Sequence, residues 1–275
     1  MKKNFISTVT SFKNTASNQA EYKTILQYLL LNHFDMRQFF IVAVSSLLVF
    51  SSCREIFAKR IRGNGNITTQ NRSAGQFNSI DVSGSIDVYA RQDSSYSIKV
   101  EADENLQQYV ETVNEGNVLR IKTEEGFNLR SSRQIKVYVS SPMFQKFEAS
   151  GACNIFSQGK ISSSSAINFD LSGSCDVTMD VNAPKIAAEA SGACSLKLRG
   201  EVKDFHVRGS GSTDIKSFEL LAENVDLDIS GAGDADVYAS VKLSGTISGA
   251  ASVNYKGSAQ TDIHTSGATT VKKID

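Results

Sequence analysis

From residue 64 onward, apolar and polar positions alternate with the period of two that marks half-buried strands. Phe77-Asn78-Ser79-Ile80-Asp81-Val82 predicts one strand and Ile86-Asp87-Val88-Tyr89-Ala90 a second. Tyr96-Ser97-Ile98-Lys99-Val100-Glu101-Ala102, Val118-Leu119-Arg120-Ile121-Lys122 and Ile135-Lys136-Val137-Tyr138-Val139 predict three more, the last stopped by Ser140-Ser141-Pro142. Asn105-Leu106-Gln107-Gln108-Tyr109-Val110 reads as more helical, and Asn114-Glu115-Gly116-Asn117 is a turn phrase between two strand-like runs, hence a hairpin.

Beyond residue 147 the alternation is organised by a recurring phrase: Ser-Gly, two small residues, a polar residue and an apolar one. Its glycines stand at 151, 173, 192, 211, 231, 249 and 267, steps of 22, 19, 19, 20, 18 and 18 residues, with an earlier copy at Ser83-Gly84. A near-fixed period of this size signals stacked units. In the aligned copies the positions three before, one before and five after the serine are mostly apolar, as in Phe147, Ala149 and Ile155, and face inward. A strand, a glycine corner, a second strand and a return turn in about 19 residues predict an all-β fold. Its expected form is a right-handed parallel β-helix, or solenoid, with coils of about 18–22 residues and a longer N-terminal excursion. The domain 64–275 then divides into irregular coils over 64–146, carrying an insertion of about 65 residues, and regular repeats over 147–275. Loops on a rigid scaffold are where binding concentrates, which makes the insertion the first region to search.

The first 63 residues depart from this pattern. Residues 1–35 are largely polar and read as an upstream extension, with translation starting at Met36. Residues 36–52 follow a positive start, Met36-Arg37, with an almost wholly apolar run from Phe39 to Phe50 and then Ser51-Ser52. That run suits a secretory signal better than a permanent span. Small residues followed at once by Cys53 resemble the lipobox of bacterial lipoproteins, which implies that Cys53 carries a diacylglycerol and becomes the mature amino terminus. Residues 53–63 read as a short basic tether, and the expected location is the cell envelope, at an outer membrane held through the lipid on Cys53.

Composition narrows the chemistry. Lys and Arg together number 29 and so do Asp and Glu, so the zero net charge gives no reason to expect a nucleic-acid partner. Three cysteines, Cys153, Cys175 and Cys194, share the position three after the serine, where Thr213, Gly233, Ala251 and Thr269 also fall. Those column-mates predict small buried spacers rather than disulfides. No histidine shares that column, so no metal site is expected there.

Two carboxylate columns are candidate surface sites for a cation or a glycan: Glu148, Asp170 and Glu189, two before the serine, and Asp214 and Asp234, four after it. Like charges at strand spacing repel, and a bound cation would relieve them; a solvated wall that discourages edge association is the alternative. No pair of acids is singled out for glycoside cleavage, and no P-loop, dinucleotide fingerprint, nucleophile phrase or zinc spacing is present, so no enzyme and no cofactor are expected.

The lipobox-like Cys53, the strand and corner at residues 77–84, the Val118-Leu119-Arg120-Ile121 strand and the Ser-Gly-Ala/Ser corners resemble the putative auto-transporter adhesin, head GIN domain family over roughly 75–272. The resemblance implies a right-handed β-helical domain in the cell envelope with an adhesin-like role. The expected function is a surface-exposed binding module for glycan or protein. The alternatives are an envelope scaffold without a small ligand and a polysaccharide-active enzyme. A cleft of converging acids would favour the enzyme, stacked aromatics on a flat wall would favour glycan, and Tyr89, Tyr96, Tyr109 and Tyr138 are the aromatics to inspect.

Overall fold

The computed structural model describes residues 58–275, which form one compact unit. The expected start at Met36, the signal over 36–52 and the lipid site Cys53 lie outside the described residues. The alternation read from the sequence appears as strands: β1 (Lys59–Arg62), β2 (Ile67–Arg72), β3 (Ser79–Gly84), β4 (Ile86–Gln92), β5 (Ser97–Asp103), β6 (Val110–Glu115), β7 (Val118–Thr123), β8 (Phe127–Arg130) and β9 (Ile135–Ser141). They continue with β10 (Lys146–Gly151), β11 (Asn154–Ser162), β12 (Ile167–Gly173), β13 (Asp176–Lys256), β14 (Gln260–Gly267) and β15 (Thr270–Lys273). The more helical stretch is a 3-10 turn, Glu104–Tyr109, and the turn phrase at Gly116 joins the hairpin β6–β7.

The copies of the repeat lie in register. Gly84 pairs with Gly151, Gly151 with Gly173, Gly173 with Gly192, and Gly249 with Gly267, all in parallel ladders. After the corner the exit strands pair likewise, Val88 with Ile155 and Ile155 with Val177. The inward columns are buried as far as Val253, and four rings, Phe77, Phe144, Phe147 and Phe169, follow one another through the core at centroid separations of 6.4, 5.4 and 5.5 Å. Each corner is closed across the stack: the amide of Ala152 donates to the Gly84 carbonyl at 2.7 Å, and that of Ser174 to Gly151 at 2.7 Å.

The expected right-handed parallel β-helix is nevertheless corrected. The main sheet has 13 strands and is mixed: its path runs β2-β5-β9-β4-β11-β13-β12-β10-β3-β7-β6, with β2–β5, β5–β9 and β6–β7 antiparallel. β13 is not one straight strand but an extended run that turns at Gly192, Gly211, Gly231 and Gly249; its residues 176–182 pair with β11 and 186–192 with β12, and the whole is a nearly closed, barrel-like sheet rather than a uniform pile of coils. The cause lies in the insertion. A tight link after β4 reverses the chain, so β5 runs against β9, and the Gly116 hairpin reverses β6 against β7; a parallel neighbour needs a much longer crossover. β1 and β8 form a separate two-stranded parallel sheet.

The cysteine column is buried, and its three thiols are free. Each sulfur donates to the carbonyl of the serine three residues earlier, Cys153 to Ser150 at 3.3 Å, Cys175 to Ser172 at 3.2 Å and Cys194 to Ser191 at 3.4 Å. Burial pushes the Cys153 thiol up to about 11 and raises that of Cys175. Burial shields all three sulfurs, and the raised values leave Cys153 and Cys175 little thiolate, so all three are expected to escape a thiol reagent such as Ellman's at neutral pH in the native protein and to react fully on unfolding. Rapid native labelling of any of them would contradict the buried column.

Candidate binding surfaces

The strands leading into the corners carry the first acid column on their outer face. Register places Arg120, Asp81, Glu148, Asp170 and Glu189 side by side on successive strands. Beside them runs a column of corner serines, and together they line an open groove of about 620 Å³ that reaches Arg208 and Asp228. The expected repulsion is relieved from within the protein. Lys146 pairs with both Glu148 and Asp170, the latter at 2.6 Å. Arg208 lies 3.6 Å from Glu189 and 4.0 Å from Asp228, and Arg120 lies 3.5 Å from Asp81.

Hydrogen bonds to Asp170 and Glu148 raise the Lys146 ammonium above its ordinary value, so it stays charged. Burial first, and the Glu148 charge second, raise the Asp81 carboxyl. Four consecutive acids thus find counter-cations within the protein, at the ends of their column and beside it, and a bound metal is not needed to hold it together.

Asp214 and Asp234 sit on the other wall, beyond the corner, so the structure does not bring the five candidate acids together. There Lys216 lies 3.7 Å from Asp214, and the Asp234 amide donates to the Asp214 carboxylate at 3.4 Å. Among the described residues no group of three or more His, Cys, Asp or Glu side chains is arranged to hold a metal ion.

That second wall carries the aromatics. Tyr89 on β4 pairs in register with Tyr138 on β9 and with Phe156 on β11. Their neighbours Val88, Ala90, Val137, Val139 and Ile155 are buried, so strand alternation turns the three rings outward, where each is half-buried. The rings stack at 5.0 Å between Tyr138 and Tyr89 and at 5.1 Å between Tyr89 and Phe156, inclined by 22° and 24°.

Offset stacking at this separation leaves part of each face and edge uncovered, like overlapping shingles. The Tyr138 hydroxyl reaches Glu101 at 3.5 Å, and Glu101 is held by Lys136 at 3.4 Å. Burial and the Glu101 charge together raise the Tyr138 phenol, keeping it a donor.

Phe156 pairs in turn with Thr178, where the ladder runs on into a groove of about 490 Å³ lined by Thr178, Lys197, Lys216, Phe218 and Asp236 among others. The wall therefore offers an aromatic strip followed by a trough of donors and acceptors. Tyr96 and Tyr109 go elsewhere: Tyr96 packs on Phe77 at 5.6 Å and Tyr109 on Phe127 at 4.6 Å. Phe156 was not singled out in the sequence, although it stands six after Ser150 as Tyr89 stands six after Ser83.

Among the described residues no helix is long and apolar enough to cross a membrane. The family model described as putative auto-transporter adhesin, head GIN domain matches residues 76–259. No match is found among curated proteins. The solved structure of a putative adhesin from Bacteroides fragilis is similar with a TM-score of 0.73 at 20% identity, over 78% of this chain and 100% of that one. A putative lipid binding protein from Parabacteroides distasonis has a TM-score of 0.60 at 22% identity, over 79% and 100%. A putative adhesin from Parabacteroides merdae has a TM-score of 0.58 at 21% identity, also over 79% and 100%. At these identities the likeness is one of fold.

Proposed function

The chain belongs to the putative auto-transporter adhesin, head GIN domain family, and from that premise we propose that it is a surface-exposed module of the cell envelope that binds glycan along its aromatic wall. The observation that carries this reading is the outward stack of Tyr138, Tyr89 and Phe156. Sugar rings have apolar C–H faces that pack on aromatic surface, and their hydroxyls need donors and acceptors close by. The trough beyond Phe156 supplies both, with Lys197 and Lys216 donating and Asp236 and Thr178 accepting. The division of an apolar platform from a few polar groups is the usual composition of a ligand site. In this reading the lipid on Cys53 holds the module at the membrane.

The other wall supports no second ligand as well as this one does, because its acids already have Lys146 and Arg208 as partners. The same balance makes it an unpromising glycoside-cleaving pair, which needs one carboxyl kept protonated next to a free carboxylate.

A glycan array probed with the full-length protein tests the proposal. Binding to one class of polysaccharide is expected, and Tyr89→Ala should weaken the best hit about tenfold, a loss of roughly 1.4 kcal/mol; the two lost ring contacts should cost about 1–3 kcal/mol of stability, so binding is read well below the variant's melting temperature. Absence of any glycan binding would favour the scaffold reading, and binding that Tyr89→Ala leaves intact would overturn the aromatic wall as the site.

A further inference from the structure

The separate sheet β1–β8 pairs Lys59 with Phe127, Arg60 with Asn128, Ile61 with Leu129 and Arg62 with Arg130. Phe127, Ile61 and Leu129 are half-buried; Leu129 packs on the core and Phe127 on Tyr109. Alternation along the strands therefore turns Arg60, Arg62 and Arg130 to the opposite, solvent-facing side, where all three are exposed. Lys59, which the alternation places on the Ile61 side, and Arg133, three positions past the end of β8, are also exposed.

This concentration is exceptional in a chain with no net charge. Arg62 and Arg130 are direct cross-strand neighbours, an arrangement that repels. Several cations on other strands do have acid partners, as at Lys122, Lys136, Lys146 and Arg208. Among the described residues neither the four cations of this sheet nor Arg133 has a carboxylate within ion-pair distance. Two guanidinium groups held side by side without an acid are complementary to a phosphate, whose oxygens each can accept in the two-pronged manner that arginine favours.

We propose that the outer face of the β1–β8 sheet docks onto anionic phospholipid headgroups. The choice of a lipid surface rests on the reading that Cys53 carries acyl chains. Lys59 follows Cys53 by 6 positions, a reach of about 20 Å even for fully extended chain, so an anchor at Cys53 brings the sheet to the bilayer. Basic residues near an anionic surface add attraction that acyl insertion does not supply, and the two signals reinforce each other. The docked sheet would also set the orientation of the barrel above the membrane.

The test uses the full-length protein with vesicles of phosphatidylcholine alone and of phosphatidylcholine mixed with phosphatidylglycerol, read by co-sedimentation. The quantity of interest is the gain in partitioning on adding the anionic lipid, since any contribution from the apolar segment or the anchor is common to both vesicles. The triple variant Arg60→Gln/Arg62→Gln/Arg130→Gln should reduce that gain on the order of 100-fold at low salt, and high salt should do the same to the unaltered protein. The charge-preserving Arg60→Lys/Arg62→Lys/Arg130→Lys should retain most of it, which guards against a folding artefact.

A gain that survives the glutamine variant overturns the proposal. So does a gain abolished by millimolar inorganic phosphate, which would mark a small-anion site instead of a lipid surface. Cys53→Ser separates the two readings: it should lower binding to both vesicle types while keeping the gain. Unchanged binding to neutral vesicles would sink the acyl anchor alone.

Discussion

Alanine at Gly192 is expected to destabilise the protein by about 2–5 kcal/mol, the sum of two separate penalties. The first is conformational: Gly192 has φ of +97°, where a side chain is strained. The second is contact across the stack. A Cβ at Gly192 would stand 2.4 Å from the Gly173 carbonyl oxygen, 3.1 Å from its nitrogen and 3.2 Å from its carbonyl carbon. None of these is a flexible side-chain tip, so relief requires the two chains to part, and the corner hydrogen bonds would lengthen with them.

Gly116, in the β6–β7 hairpin, provides the control. Its φ is +60°, yet nothing lies within 4 Å of a Cβ placed there. Gly116→Ala should therefore cost only about 1 kcal/mol, the conformational part alone. Urea unfolding of both variants separates the effects; equal shifts in the midpoint would mean that the close approach between corners contributes nothing.

The same glycines explain how far the fold could be read from the chain. Gly151, Gly173 and Gly192 each lie so close to the preceding corner glycine that a Cβ would meet its backbone, so the repeat and its inward columns are written openly in the sequence. What the spacing does not encode is strand direction outside the repeat. The β6–β7 hairpin was legible in its turn phrase, but the link Asp93-Ser94-Ser95 that reverses β5 carries ordinary turn residues, and whether a strand after such a turn pairs with its predecessor or with a strand far away, as β5 does with β9, is decided by tertiary packing. Extending the repeat's parallel logic into that region produced the β-helix expectation that the mixed sheet corrects.

The candidate acids show a related limit. Glu148, Asp170 and Glu189 were legible as a column, but Lys146, which neutralises two of them, belongs to the next outward column and becomes a neighbour only when lysine's long side chain is placed in space. Tyr89 and Tyr138 were legible as aromatics, but not as partners: residue 138 is not a repeat copy, and only the pairing of β4 with β9 stacks one ring on the other.

Asp103 carries the second large expected effect, and no pattern in the sequence distinguishes it. At the end of β5 its side chain is 0% exposed, and it accepts hydrogen bonds from the Gly65 amide at 2.7 Å, the Ser132 amide at 2.9 Å and the Ser132 hydroxyl at 2.6 Å. Gly63 lies against it so closely that a Cβ there would be 2.3 Å from the carboxyl carbon. One carboxylate thus ties the link between β1 and β2 to the chain just after β8, clamping both strands of the basic sheet at the same end. Burial alone would raise this carboxyl, but the donations from Ser132 and Gly65 outweigh it, and its value is lowered.

Asp103→Asn keeps the shape while turning an amide toward donors that need an acceptor. The expected loss at neutral pH is about 3 kcal/mol. The direction of the shift fixes the pH dependence. A carboxyl lowered in the folded state stabilises fully above its unfolded value of about 4 and loses that contribution as the pH falls through the folded value. The gap in stability between the wild-type protein and Asp103→Asn should accordingly be widest near neutrality and narrow below about pH 4, followed by urea unfolding across the acid range. A gap that stays constant with pH would mean that the carboxylate's charge is irrelevant and that the clamp works by shape alone.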